Sequence, residues 1–413
     1  MNLRAARVFG IIAFSLFSAA VEPVAQPQPA PSSTDKAVPS TIEGAGYVFV
    51  SGQGPTRADG SSPNTFPDQV RQTLDNIRLA LQSAGLAPDH LVYLQVYLED
   101  VQRVRELDEV FASYFPKDPP ARAVLGVARA PQSPIQINAI AVRDLQGKQA
   151  VSAPGAKSNK AFSAGMLTHD QLFVSIMPGR DPVTGAVPQD PAQQVNLALD
   201  GVKSVVAAAG LTMAHMVFVN PYMTSEISYR AMNEQYAKRF EFGNTPGRAT
   251  IEVFSLPDGA HIAFTGIAVR DLSRRQAIRP KNMPPSPTAS PCVFAGDLLY
   301  CSAKSGFIPG PNSGVYAAST ADQTRQTMRN LLDNLEEAGM TFDDVVSTTI
   351  YLDDLRDTAA FAKVYQKYFG NALPAQTIVQ QLKPGDRKAD EEGHYPTLEQ
   401  VSLVAVRRKG NPR

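Results

Sequence analysis

The sequence predicts an α+β protein in which one unit, ordered ββαβαββ, is repeated three times along the chain. Two observations carry this. A two-strand pattern with the same head recurs. It runs from Pro120-Ala121-Arg122-Ala123-Val124 through Gly126 to Ile135–Asp144, and from Pro246-Gly247-Arg248-Ala249-Thr250 to Gly266–Asp271. Its third copy runs from Pro374-Ala375-Gln376-Thr377-Ile378 to Leu403–Arg408. Arg122, Arg248 and Gln376 are spaced by 126 and 128 residues, room for a separate core in each unit and too long for a solenoid repeat. Each copy is also preceded by a helix whose apolar residues share one face: Val70, Leu74, Ile77 and Leu81, then Val195, Leu199, Val202 and Val206, then Met328, Leu331 and Leu335.

In chain order, the first unit begins with the β-rich run Tyr47–Gln53, which breaks at Gly52. A helix follows from Pro67 and stops at Gly85, which suits a left-handed cap. Leu91–Leu98 reads as the next strand and Val104–Phe115 as the second helix, and a hairpin of two strands completes the unit. The second unit repeats this with Leu172–Ser175, a helix stopped by Gly210, the strand Met216–Tyr222 and the helix Tyr229–Phe240. Pro221 within that strand predicts an irregular edge, because proline cannot donate to a ladder. The third has Leu298–Ser302, a helix ending at Gly339, Val345–Leu352, the helix Thr358–Phe369, and a last hairpin interrupted by the charged loop Pro384–Pro396. Gln146–Lys160 and the proline-rich Ser273–Pro291 read as linkers, giving domains at 38–145, 157–272 and 288–409. Helices with one apolar face cover one side of each sheet. The bare sides are expected to pack together as a covalent pseudo-threefold trimer.

Upstream of the repeats, Arg4 and Arg7 precede an apolar run from Val8 to Val21 and small residues near Ala25. The pattern predicts a signal peptide over 1–25 and a disordered tether over 26–37, hence an exported protein, periplasmic or secreted. An uncleaved anchor is the other reading, disfavoured because the run is short of the ~20 residues that cross a bilayer. Only two cysteines occur. If Gly296-Asp297 is a two-residue hairpin turn, Ala295 faces Leu298 and Cys292 falls opposite Cys301 in a non-hydrogen-bonded pair, where Cβ atoms come closest. In an oxidising compartment such a pair forms a cross-strand disulfide; two buried free thiols are the other arrangement the spacing allows.

With 39 basic and 39 acidic residues the net charge is zero, which argues against a nucleic-acid partner. The histidines, His90, His169, His215, His261 and His394, fall in unlike places without metal-ligand spacing. Tyr47, Tyr93 and Tyr97 read as core aromatics. The basic run Arg274, Arg275, Arg279 and Lys281 reads as a solvated face.

Ser51-Gly52-Gln53, the helix end Ala84-Gly85-Leu86, and Pro120-Ala121-Arg122 followed by Ala139–Arg143 resemble the RidA family, reactive-intermediate deaminases also called YjgF. The resemblance covers nearly the whole mature chain three times over. It implies a chorismate-mutase-like fold, normally assembled as a homotrimer with ligand clefts between subunits, so that this single chain acts as an intramolecular trimer. It also implies hydrolysis of 2-imino acids and their enamine tautomers to keto acids and ammonia, with no cofactor and a small carboxylate-bearing metabolite as partner. No nucleic acid and no stable membrane association after signal cleavage are expected.

By the same resemblance Arg122 and Arg248 become the catalytic grip on the substrate carboxylate, a role that a planar, permanently charged guanidinium suits. The substrate-binding set becomes Ser51, Gly52, Phe162, Ser175, Asn233 and Gln136. Departures are visible too. Gly52 is matched by Ile176 and Ala303, Phe162 by Val38 and Ala289, and Asn233 by Asp108 and Ala362. The family's water-orienting glutamate falls on Gln136, Ala263 and Gln400. An amide holds water but is a far weaker base. A non-catalytic carboxylate-binding module is therefore the alternative expectation. Ribonuclease activity, attached to the family by an older name, is disfavoured by the neutral charge.

Overall fold

A computed structural model describes residues 36–152, 159–281, 283–310 and 314–408. The segment read as a signal peptide, and the tether up to residue 35, lie outside the described residues.

Each repeat places two helices on one face of a sheet. Helix α1 spans Phe66–Ser83 and α2 Val104–Tyr114; α3 spans Pro191–Ala208 and α4 Tyr229–Tyr236; α5 spans Thr320–Glu337 and α6 Thr358–Tyr365. The Thr65 side chain caps α1 by accepting from the Asp68 N–H, with Pro67 in the first turn where its missing N–H costs nothing. Val70, Leu74, Ile77 and Leu81 are all buried, as are their counterparts in α3 and α5. Gly85, Gly210 and Gly339 follow the three helix ends at φ of 72°, 75° and 69°, a region that disfavours any side chain.

The first sheet runs in the order Thr41–Gly44, Tyr47–Gln53, Ile135–Val142, Leu91–Leu98, Ala121–Gly126. The two final strands therefore do not form the expected hairpin. Leu91–Leu98 lies between them, with Leu94 opposite Arg122 in a parallel ladder and opposite Ala139 in an antiparallel one. The reason is the helix between the strands: α2 carries the chain back to the start of the sheet, and a crossover of that length produces a parallel neighbour. The second and third sheets repeat this arrangement.

The segments expected to be linkers each supply a strand. Gln149–Val151 pairs with Gly165–Leu167, and Arg275–Ile278 pairs with Cys292–Ala295. Pro221 acts one strand away from where it sits. The strand Met216–Met223 is interior, and its outer partner breaks into Gly247–Arg248 and Ile251–Glu252. In the third sheet the outer partner Ala375–Gln380 is continuous. Cys292 stands opposite Cys301, with Ala295 opposite Leu298, and the two cysteines are joined by a disulfide with a Cα–Cα distance of 4.0 Å.

Three outer cores hold the helices to their sheets, and one central core is shared. The central core unites Tyr47 and Tyr97 of the first repeat with Phe173 and Tyr222 of the second and Tyr300 and Tyr351 of the third. Gln95 donates to the Tyr222 hydroxyl at 2.9 Å, beside a small axial cavity of about 90 Å³ that all three repeats line. The bare sheet faces thus meet one another, as the sequence predicts.

Removing the disulfide by Cys292→Ala/Cys301→Ala is expected to cost about 2–3 kcal/mol, from the short loop it closes, read as a lower urea midpoint. The unreduced protein should show no reactive thiol. Glu399, buried beneath α5 and hydrogen-bonded to Thr327, is a second lever. Burial pushes its carboxyl up to about 8, against the Thr327 bond and the Gly306 N–H, which favour the charged form. The folded state then holds a proton that the unfolded state releases in the ordinary glutamate range. Stability should fall as pH rises from there towards 8, by about 1 kcal/mol per pH unit. Glu399→Gln should remove that slope in a series of urea titrations.

Candidate functional site

One hydroxyl joins each pair of neighbouring repeats. Ser175 Oγ donates to the Ser163 carbonyl at 2.6 Å and accepts the Arg122 backbone N–H at 2.7 Å. Ser302 Oγ does the same with the Ser290 carbonyl and the Arg248 N–H, at 2.6 and 2.8 Å. Ser51 Oγ closes the ring with the Pro39 carbonyl at 2.6 Å and the Gln376 N–H at 3.0 Å. A hydroxyl has one proton to give. In each serine it is committed to a carbonyl, so Ser51, Ser175 and Ser302 serve as clasps that fix the neighbouring strand head.

The ring assigns the clefts: the first repeat's head meets the second repeat, the second meets the third, and the third meets the first. Arg122 consequently lies with Ser175 and Phe162, and Arg248 lies with Asn233 of its own repeat. Ser51, Gly52 and Gln136 belong together, since a Cβ on Gly52 would stand 2.7 Å from the Gln136 amide, but their cleft is headed by Gln376. Neither arginine reaches them.

In the first cleft Arg122 is buried and already paired. Its Nη2 donates to Asp108 at 2.5 Å, and its guanidinium lies between the Phe111 and Phe162 rings, at 4.7 and 4.8 Å from their centres. Burial pushes its pKa down and Asp108 opposes the shift, yet an arginine starts so high that it stays cationic. Asp108 neutralises that charge, and a second carboxylate arriving there would meet a like charge.

The second cleft differs at two positions, and both changes open it. Asn233 stands where Asp108 would, accepting from Arg248 Nη1 at 2.7 Å without carrying charge. Ala289 stands where Phe162 would, leaving Tyr236, 5.1 Å away, as the aromatic ring recorded over the guanidinium. A cavity of about 330 Å³ results. Arg248, Tyr229 and Thr250 line it from the second repeat, and Ser302, Lys304 and Gln400 from the third. Among the described residues no carboxylate pairs with Arg248 and none lines this cavity. Thr250 Oγ1 is buried there without a hydrogen-bond partner. Burial pushes the Arg248 pKa down, while local desolvation and the nearby Glu252 raise that of the hydroxyl of Tyr229, a residue 45% exposed, which stays neutral.

In the third cleft the Gln376 side chain bonds the Tyr365 hydroxyl, and Ala362 stands where Asp108 and Asn233 do. Sequence reasoning left Gln400, Lys304 and Thr250 out of the candidate set. The signal for Gln400 was present, as it occupies the same repeat position as Gln136; what was missing was which repeat faces which. Among the described residues no three His, Cys, Asp or Glu side chains cluster as a metal site would require.

The family model described as endoribonuclease L-PSP matches the chain three times, over residues 29–143, 152–270 and 282–385. The RutC family protein of Pyrococcus horikoshii is 36% identical over 109 residues, covering 26% of this chain and 84% of that protein. Reactive Intermediate Deaminase A, chloroplastic, of Arabidopsis thaliana is 35% identical over 91 residues, covering 22% of this chain and 48% of that protein. Among solved structures, a chorismatase aligns with a TM-score of 0.50 at 13% identity, over 77% of this chain and 93% of that one, a likeness of fold.

The two arginines should respond differently to removal. Arg122→Ala strips a buried cation from Asp108 and two rings and is expected to cost about 2–4 kcal/mol, less than a fully buried pair because Asp108 is partly exposed. Arg248→Ala leaves a neutral amide beside an open cavity and should cost about 1 kcal/mol or less. Urea unfolding of the two variants against the parent protein checks the order.

Proposed function

The chain belongs to the endoribonuclease L-PSP family of RutC and RidA proteins, in three tandem copies, and we propose that its Arg248 cleft hydrolyses small 2-imino or enamine acids to keto acids and ammonia. The observation that carries the reading is a guanidinium lining a cavity that, among the described residues, holds no carboxylate to neutralise it. Its N–H groups not used by Asn233 offer a charge-assisted fork to a substrate carboxylate, and Thr250 Oγ1 adds a hydroxyl with no other partner. Pinning the carboxylate fixes the adjacent iminium carbon in the cavity. That carbon is already electrophilic, so positioning accounts for most of the rate.

Gln400 lies where an amide can orient the attacking water. It cannot take the proton, and the chemistry does not require it to. As the new C–O bond forms, one water proton passes to the amino nitrogen; the C–N bond then breaks, the carbonyl closes, and the remaining hydroxyl proton passes to the departing ammonia, which leaves as ammonium. Tyr229, neutral and lining the cavity, has a hydroxyl oxygen that can accept a hydrogen bond from the new hydroxyl as it forms. The amide at Gln400 also favours a second reading, binding of small carboxylates without turnover.

Imines made in situ by an amino-acid oxidase separate the two readings. The expected result is faster imine loss with the protein, and a fall in kcat/KM of about 100-fold in Arg248→Ala, on the order of 3 kcal/mol for a charge-assisted contact. An unchanged rate with wild-type protein, together with keto-acid binding by calorimetry, would establish the binding module instead.

We also propose an extracytoplasmic site of action. The basic start and apolar run before the first repeat support it, as does a disulfide between the chain's two cysteines. Cell fractionation with N-terminal sequencing of the mature chain tests this, and an intact Met1 in a cytosolic fraction would refute it.

A further inference from the structure

We infer that the Arg248 cleft takes a doubly anionic substrate, a 2-imino dicarboxylic acid whose α-carboxylate sits on Arg248 and whose distal carboxylate sits on Lys304. This rests on the proposed imine hydrolysis and names its substrate class. Lys304 lies two residues beyond the clasp serine Ser302 and lines the same cavity. The equivalent positions, two residues beyond Ser51 and Ser175, hold Gln53 and Met177. At this position a cation therefore occurs in the cleft whose arginine lacks a carboxylate partner among the described residues, and the equivalent positions of the other two repeats are uncharged.

Electrostatics sharpens the point. The ammonium of Lys304 is half-buried, and desolvation pushes its pKa down. The carboxylate acting on it, Asp333 of α5, is solvent-exposed and does not line the cavity. Two cations lining one cavity, with no carboxylate among the described residues lining it, have each lost hydration, a cost that a dianion offsets at both ends. A monocarboxylate relieves only one end. The cavity of about 330 Å³ admits a small chain between them, being near the roughly 300 Å³ at which small-molecule sites begin. Lysine suits the distal end, since a point charge on a flexible stem tolerates different chain lengths, whereas the arginine fork fixes the end next to the reacting carbon.

The test compares two acids of equal chain length that differ in the distal carboxylate, 2-oxoglutarate and 2-oxopentanoate, by calorimetry on the full chain. Initial rates on the matching imines, from glutamate and norvaline, are measured beside them. The expected result is at least a tenfold preference for the dicarboxylate in the parent protein. Lys304→Met, which places there the residue the second repeat already carries, should bring the ratio to about one, and Lys304→Arg should retain the preference. Binding and turnover of the monocarboxylate without any preference would overturn this inference and leave the proposed function standing. A preference that survives Lys304→Met would also overturn it. Binding and turnover of neither acid would overturn both.

Discussion

A serine hydroxyl that gives its proton to one carbonyl and receives an N–H from the next repeat is the interaction on which the clefts depend. It recurs at Ser51, Ser175 and Ser302 with nearly the same lengths. Each clasp is buried, so breaking one leaves an N–H and a carbonyl without partners, a penalty of about 1–3 kcal/mol for each group left unsatisfied. The ring of three clasps also sets direction. Every cleft is headed by one repeat and floored by the following one, and covalent linkage lets the three clefts differ, which three identical subunits could not do.

They do differ, at positions that decide charge and space. Asp108, Asn233 and Ala362 occupy one helical position; Phe162, Ala289 and Val38 occupy one non-helical position just before the residue whose carbonyl accepts from the clasp serine. Where aspartate and phenylalanine coincide, Arg122 is a sandwiched interior group whose Nη2 is paired with Asp108 and whose Nη1 is buried without a hydrogen-bond partner. With asparagine and alanine at the same two places, Arg248 keeps its charge and faces a cavity. Glutamine heads the third cleft in place of an arginine and bonds a tyrosine hydroxyl. Of the three, the Arg248 cleft is the one whose arginine has no carboxylate partner among the described residues.

Much of the fold could be read from the chain because its signals are local. Leu91–Leu98 is buried throughout and, but for Gln95, reads as an apolar run, and the face of α1 is set by spacing alone. The Cys292–Cys301 pairing follows from a two-residue turn and the alternation of a strand. Longer-range relations were less visible. Ala121–Gly126 beside Leu91–Leu98 is a parallel pairing made across α2, and nothing in either strand announces it. Gln149–Val151 and Arg275–Ile278 are short edge strands with polar residues, so their composition resembles that of a linker. The candidate site was half legible: the arginines and serines stood out by repetition, while the direction of closure, which sends Gln136 to Gln376 and Gln400 to Arg248, is a property of the assembled ring.

The most direct measurement is a crystal structure of the full chain soaked with a 2-keto acid. The central claim requires the ligand carboxylate on the Arg248 guanidinium, in the cavity between the second and third repeats, with the Arg122–Asp108 pair undisturbed. A keto acid bound at Arg122 with Asp108 displaced, or one bound beside Gln376, would contradict it.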